Sequence, residues 1–117
     1  MHEVSVAQSL LNAIEAEADL YRITSVTKVQ ISVGALAGVQ VDSLVFAFDL
    51  LKEGTVAAGA VLDVVHVPAK GVCDVCGLDV EITSHFTACP RCGEPVLNMR
   101  DGRDLCLTRV EGETEQQ

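Results

Sequence analysis

A chain of 117 residues with 49% hydrophobic side chains and no tryptophan can form one compact domain cored by Val, Leu, Ile and Ala, with a small stapled lobe beside it. Its formal charge of −9, from 17 acidic against 8 basic residues, argues against a phosphate-facing surface and for cations or basic protein patches as partners, with no nucleic acid. No apolar run reaches membrane-spanning length and the first residues lack a signal peptide's basic and apolar regions. Five cysteines in that setting fit a reducing, cytoplasmic location with metal-bound thiolates.

The chain opens Met1-His2-Glu3. Ser5-Val6-Ala7-Gln8 then reads as a capping box, with Ser5 as N-cap. Ala7, Leu10, Leu11, Ile14 and Ala18 recur at helical spacing, which predicts a helix over Ser5 to Tyr21. A helix capped at Ser5 leaves the amides of His2 and Glu3 outside its ladder. From Val26 to Val33 the pattern alternates: Val29, Ile31 and Val33 share one face, Lys28, Gln30 and Ser32 the other, as in a half-buried strand. Gly34 to Gly38 forms a loop. Asp42 is placed to cap a second helix, with Leu44, Val45, Phe48 and Leu51 inside, Phe46 also among its core residues, and Gly54 as its stop. Val61 to Val67 predicts a second strand, ended by Pro68. Leu105, Leu107 and Val110 predict a third, with an acidic, frayed tail from Glu111 to Gln117.

Between the second and third strands stand Cys73-Asp-Val-Cys76-Gly77 and Cys89-Pro-Arg-Cys92-Gly93. Two intervening residues let one tight turn aim both sulfurs at one ion, and the following Gly can take the positive φ of the turn's exit. Two such turns give four thiolates in a tetrahedron, the geometry of a structural Zn²⁺ site with no open position for catalysis. Disulfides or a redox pair are the competing reading, but a thioredoxin-like pair occurs once, at a strand-to-helix junction. His85, between the two pairs, is a less expected ligand because four cysteines suffice. The segments Pro68 to Lys70 and Pro95 to Arg103 would form a double hinge to this lobe.

His2 is the other candidate. A histidine at position 2 carries little weight by itself, yet its place permits a specific chemistry. The terminal amine of Met1, the deprotonated amides of His2 and Glu3, and the His2 imidazole offer four nitrogens in one plane, which suits Ni²⁺ or Cu²⁺. Glu3 could add an axial or outer carboxylate, or simply favour the helix dipole. The large His2 side chain should keep Met1 from being trimmed. His66 reads as structural or solvent-facing and Cys106 as a small, partly buried side chain. No Gly-rich phosphate loop, Ser/His/Asp set or carboxylate dyad emerges, so no enzyme activity is expected.

With these residues in view, the chain resembles the hydrogenase nickel-incorporation family, HypA and its homologue HybF. Met1-His2-Glu3-Val4-Ser5, Gln8-Ser9-Leu10-Leu11, Val33-Gly34-Ala35-Leu36-Ala37-Gly38-Val39, Phe46-Ala47-Phe48-Asp49 and both cysteine pairs stand where that family has them. The resemblance implies a nickel metallochaperone that carries Ni(II) as transient cargo. By that match Met1, His2 and Glu3 are the nickel positions, and Cys73, Cys76, Cys89 and Cys92 hold a structural zinc. It implies delivery to the [NiFe] hydrogenase large subunit with a partner GTPase (HypB) and, in some organisms, service to urease and its accessory proteins. Gln40 stands where many relatives have an acidic residue, with Asp42 two places on.

The sequence therefore predicts an α+β protein with two helices packed on a small three-stranded sheet and an inserted zinc-ribbon lobe with four cysteine ligands. The expected domains are a nickel-binding unit over 1–68, completed by a returning strand in 103–117, and a zinc lobe over 69–102. The alternative function is a zinc-ribbon protein-interaction adaptor without a nickel site of its own.

Overall fold

The computed structural model describes residues 3–82, 87–96 and 98–114. Met1, His2 and His85, all named above, lie outside the described residues. The element order is α1 (Glu3–Leu20), β1 (Ile23–Gly34), α2 (Val41–Leu51), β2 (Val61–Val67), β3 (Ala69–Val72), β4 (Asp79–Ile82), β5 (Asn98–Asp101) and β6 (Leu105–Thr114). One three-stranded sheet has the order β2-β1-β6 and a second the order β4-β3-β5. The architecture is α+β, as predicted. The chain divides into two compact units, one of Met1–Ile31, Val39–Val64 and Cys106–Gln117, the other of Ser32–Gly38 and Val65–Leu105.

In the first unit, α1 buries the predicted stripe of Ala7, Leu10, Leu11, Ile14 and Ala18, and α1 packs against α2. Its start differs from the expectation. The helix begins at Glu3, two residues before Ser5, so Ser5 is inside it and does not cap it. Gln8 makes no capping box either, because its Nε2 donates to Asn12 Oδ1 one turn on, at 3.0 Å. The cap of α2 also moves. Gln40 occupies the N-cap position with extended backbone and no side-chain cap bond, and Asp42 lies in the first turn, where its charge favours the dipole.

Helix α2 buries Leu44, Ala47 and Phe48. Phe46, expected inside, is 66% exposed, because it falls on the face opposite Leu44 and Phe48. The tail expected to fray from Glu111 continues β6 as far as Thr114. Thr27 Oγ1 donates to the Glu111 carbonyl at 3.2 Å and Thr24 Oγ1 to the Glu113 carbonyl at 3.3 Å. Gly112 allows this pairing, since a Cβ there would stand 2.4 Å from the Ser25 carbonyl oxygen.

The second unit is built on an antiparallel ribbon that periodicity did not reveal. Strand β3 pairs with β4 from Ala69↔Ile82 to Val72↔Asp79, and also with β5, with a register shift between Lys70 and Gly71. Among the described residues, Ala69, Cys73, Val80, Ile82, Cys89 and Val96 form a buried cluster here, with Leu36 packed against them. The 34–36 loop is held on both sides: Gly34 N–H donates to Asp104 O at 2.9 Å, Ala35 N–H to Val67 O at 2.9 Å, and Leu36 N–H to Gly102 O at 2.8 Å. The two segments read as a double hinge carry strand structure. The first segment enters β3 at Ala69 and the second contains β5.

Candidate metal centre

The two cysteine pairs sit in matching loops. Strands β3 and β4 close the first, because Val72 pairs with Asp79 and leaves Cys73 to Leu78 as the connection. An antiparallel bridge between Ala88 and Pro95 closes the second around Cys89 to Glu94. The backbone bonding repeats. Cys73 N–H donates to Leu78 O at 2.9 Å and Gly77 N–H to Cys73 O at 2.8 Å, while Cys89 N–H donates to Glu94 O at 2.8 Å and Gly93 N–H to Cys89 O at 2.9 Å. Both exits need a left-handed residue, and Gly77 (φ 75°) and Gly93 (φ 79°) supply it. The sequence reading of the two glycines is the geometry observed.

The loops bring all four sulfurs together. Cys73, Cys76, Cys89 and Cys92 place their Sγ atoms within 4.8 Å of one another. The Cys73–Cys92 separation is 3.4 Å and the Cys76–Cys89 separation 3.6 Å, far longer than a disulfide bond, and all four thiols are free. Zn–S bonds of about 2.3 Å in a tetrahedron set sulfurs about 3.8 Å apart. The four residues therefore fit such an ion, which would supply a fixed cross-link between the two loops and no open coordination position. Each loop buries its first cysteine, Cys73 at 1% and Cys89 at 2% exposure, while Cys76 is half-buried against the cluster and Cys92 is exposed.

Crowding four sulfurs splits their proton affinities. The Leu78 amide draws the Cys76 thiol down to about 6, against partial desolvation and with help from Arg91, Cys89 and Cys73. Cys89 is lowered as well, chiefly by the Cys92 amide. Cys92 is pushed up to about 12: the Glu94 amide favours its thiolate, but the Cys73 sulfur, desolvation and the other two sulfurs outweigh it. Such a set holds its last proton because a further negative charge has no counterion, and a divalent cation removes that obstacle. Arg91 reaches across from the second loop, donating from Nη2 to the Cys76 carbonyl at 3.1 Å, and the Cys76 sulfur strengthens its hold on its own proton.

Of the N-terminal candidates, Glu3 is described. It opens α1, and its Oε2 accepts from the Gln40 N–H at 3.4 Å, so its carboxylate lies at the start of α2. Sequence reasoning missed this partnership, because nothing in either local pattern couples positions so far apart. The packing of the half-buried Leu36 against the ribbon cluster was missed for the same reason. His66 and Cys106 are exposed, whereas Cys106 was expected to be partly buried.

An α+β unit joined in one chain to a ribbon whose four cysteine sulfurs converge on one point defines a protein with a metal-binding centre. Residues 1–112 match the family described as hydrogenase/urease nickel incorporation, metallochaperone, hypA. The hydrogenase maturation factor HypA of Psychromonas ingrahamii is 34% identical over 113 residues, covering 97% of this chain and 99% of that protein. The factor HybF of Klebsiella pneumoniae is 39% identical over 113 residues, covering 97% of this chain and all (100%) of that one. The solution structure of the Ni metallochaperone HypA from Helicobacter pylori superposes with a TM-score of 0.70 over 98% of this chain and 100% of that one; at 24% identity it speaks to the fold. The chain belongs to the HypA family, the metallochaperones of nickel incorporation in hydrogenase maturation.

Proposed function

We propose that this protein binds Ni(II) at Met1-His2-Glu3 and delivers it to the large subunit of a [NiFe] hydrogenase, acting with a maturation GTPase of the HypB kind, while a zinc ion held by Cys73, Cys76, Cys89 and Cys92 keeps the ribbon folded. The observation that carries the reading is the position of Glu3 as the first residue of α1. The first four amides of a helix have no partner within it. The Glu3 amide is thus open to deprotonation and coordination, although the helix starts earlier than Ser5. With the terminal amine, the His2 amide and the His2 imidazole it completes a planar nitrogen set suited to Ni²⁺. The Glu3 side chain is held by Gln40 N–H, which supports an outer or axial role over a fifth equatorial one.

Transfer follows from lability. Binding at amides releases protons, so a partner with thiolate donors can take the ion as those amides are reprotonated. The four-cysteine centre has all of its positions filled by the chain, which suits it to structure and keeps it out of the transfer route.

The test is Ni²⁺ titration, by absorbance and calorimetry, of the native chain, of a chain with one Gly added before Met1, and of His2→Ala. Both changes are expected to abolish a planar-nickel absorption band while zinc stays at one ion per chain. Equal nickel binding by all three would overturn the terminal site, and unimpaired hydrogenase maturation with His2→Ala would favour the adaptor reading.

A further inference from the structure

Helix α2 is apolar almost all round. Between Val41 and Leu51 every residue except Asp42, Ser43 and Asp49 is hydrophobic, yet only Leu44, Ala47 and Phe48 are buried. A helix of that composition is ordinarily enclosed on all sides. Here Phe46 and Leu50, one turn apart, stand 66% and 62% exposed, and Val4 on α1 stands 60% exposed. The three are not scattered. With Ala47 they line a single open groove of about 450 Å³ within the first unit, and the polar side chains at its edge include Glu3 and Asp42. Among the described residues, no Lys or Arg lines it.

We infer that this groove is a docking surface for a partner protein that presents an amphipathic segment, with apolar side chains to seat against Val4, Phe46 and Leu50 and Lys or Arg on its flank to meet Glu3 and Asp42. Charge complementarity selects this occupant over a second copy of the chain. A two-fold pairing through the groove would set Glu3 and Asp42 against their own copies, in a protein already at −9. An apolar floor with a charged rim is the arrangement that lets the aromatic residue supply affinity and the carboxylates supply orientation. Glu3 belongs both to the groove and to the proposed nickel terminus, so a partner seated here would sit beside the cargo. That consequence rests on the nickel reading, whereas the docking surface does not.

The experiment uses the full zinc-loaded chain and a short helical peptide of Leu and Lys with one apolar face, against a counterpart of Leu and Glu. Amide chemical shifts report where the peptide binds. The Leu/Lys peptide is expected to perturb Val4, Asp42, Phe46, Ala47 and Leu50 as one group, and the Leu/Glu peptide to leave them unmoved. Phe46→Ser should weaken binding roughly tenfold or more, and Asp42→Asn should weaken it with a shallower salt dependence. Leu20→Ser, at an exposed apolar residue that does not line the groove, should change nothing. Shifts spread over other surfaces, equal binding of both peptides, or concentration-dependent dimerisation through Phe46 without peptide would each overturn the proposal. Nickel titration of Phe46→Ser separates the two readings: retained nickel with lost peptide supports docking, and peptide binding to a chain that takes no nickel at its terminus would leave docking standing while that site fails.

Discussion

Glycine positions that look alike in the sequence differ sharply in what surrounds them. Gly38 and Gly102 both have positive φ, at 74° and 93°. A Cβ on Gly38 would meet nothing within 4 Å, whereas one on Gly102 would lie 2.4 Å from Ala69 Cα and 2.7 Å from its Cβ. Gly34 faces Gly102 in turn, its would-be Cβ only 2.2 Å from the Gly102 carbonyl carbon. Gly38→Ala therefore incurs backbone strain alone, about 1 kcal/mol. Gly102→Ala adds a clash with backbone that cannot swing aside, and should lose several times more, on the order of 3 kcal/mol. Urea denaturation of the two variants is the measurement, and equal midpoints would show that the backbone around Ala69 yields. Neither contact was legible in the sequence, because the partner of each glycine lies far along the chain. The knuckle glycines were legible, since Gly77 and Gly93 serve turns whose other members sit within five residues of them.

The same distinction between local and distant causes runs through the elements. The stripe on α1 was read correctly because its period is intrinsic to the helix, and the buried positions matched it residue for residue. In α2 the stripe was broad enough to be misread: a helix with few polar residues gives no sign of which apolar side chain faces water, so Phe46 was placed in the core beside Phe48. The ribbon strands failed for another reason. Strands β3, β4 and β5 are four residues each, too short for an alternating pattern to announce them, and hold Lys70, Gly71, Asp79 and Glu81; β3 is joined to β4 by the first cysteine loop. The assignment within α2 can be tested directly. Phe48 is fully buried at 0% exposure, so Phe48→Ala should destabilise the protein by about 3–5 kcal/mol. Phe46→Ala should stay within about 0.5 kcal/mol. Comparable losses in both variants, measured by thermal or urea unfolding, would mean that Phe46 packs inside after all.

For the molecule as a whole, the presence of two units with separate cores makes stability a two-part quantity. The first unit has a conventional interior that includes Leu11, Ile14, Val26, Ile31, Leu44 and Phe48, each contributing about 1.5–3 kcal/mol on burial. Among its described residues the second buries Val33 and the small cluster of Ala69, Val80, Ile82 and Val96 with Cys73 and Cys89. Against that small core stands the ordering of its backbone, on the order of 1–2 kcal/mol for every residue fixed. The ribbon is therefore short of stabilisation unless its four sulfurs share an ion, and zinc bound by four such ligands can supply about 10–16 kcal/mol. Removing the metal with a chelator under reducing conditions should then melt one unit and spare the other. Amide protection across Lys70–Val72 and Val80–Ile82 is expected to vanish. The helical circular dichroism of α1 and α2 should remain, and the unfolding curve should change from one transition or two close ones to a single transition of smaller amplitude. Readdition of zinc should restore the ribbon, with a midpoint that rises with free zinc as linkage requires. Loss of helix and ribbon together at one midpoint would show instead that the two cores fold as one, and the four-cysteine centre would then be a staple for the entire chain.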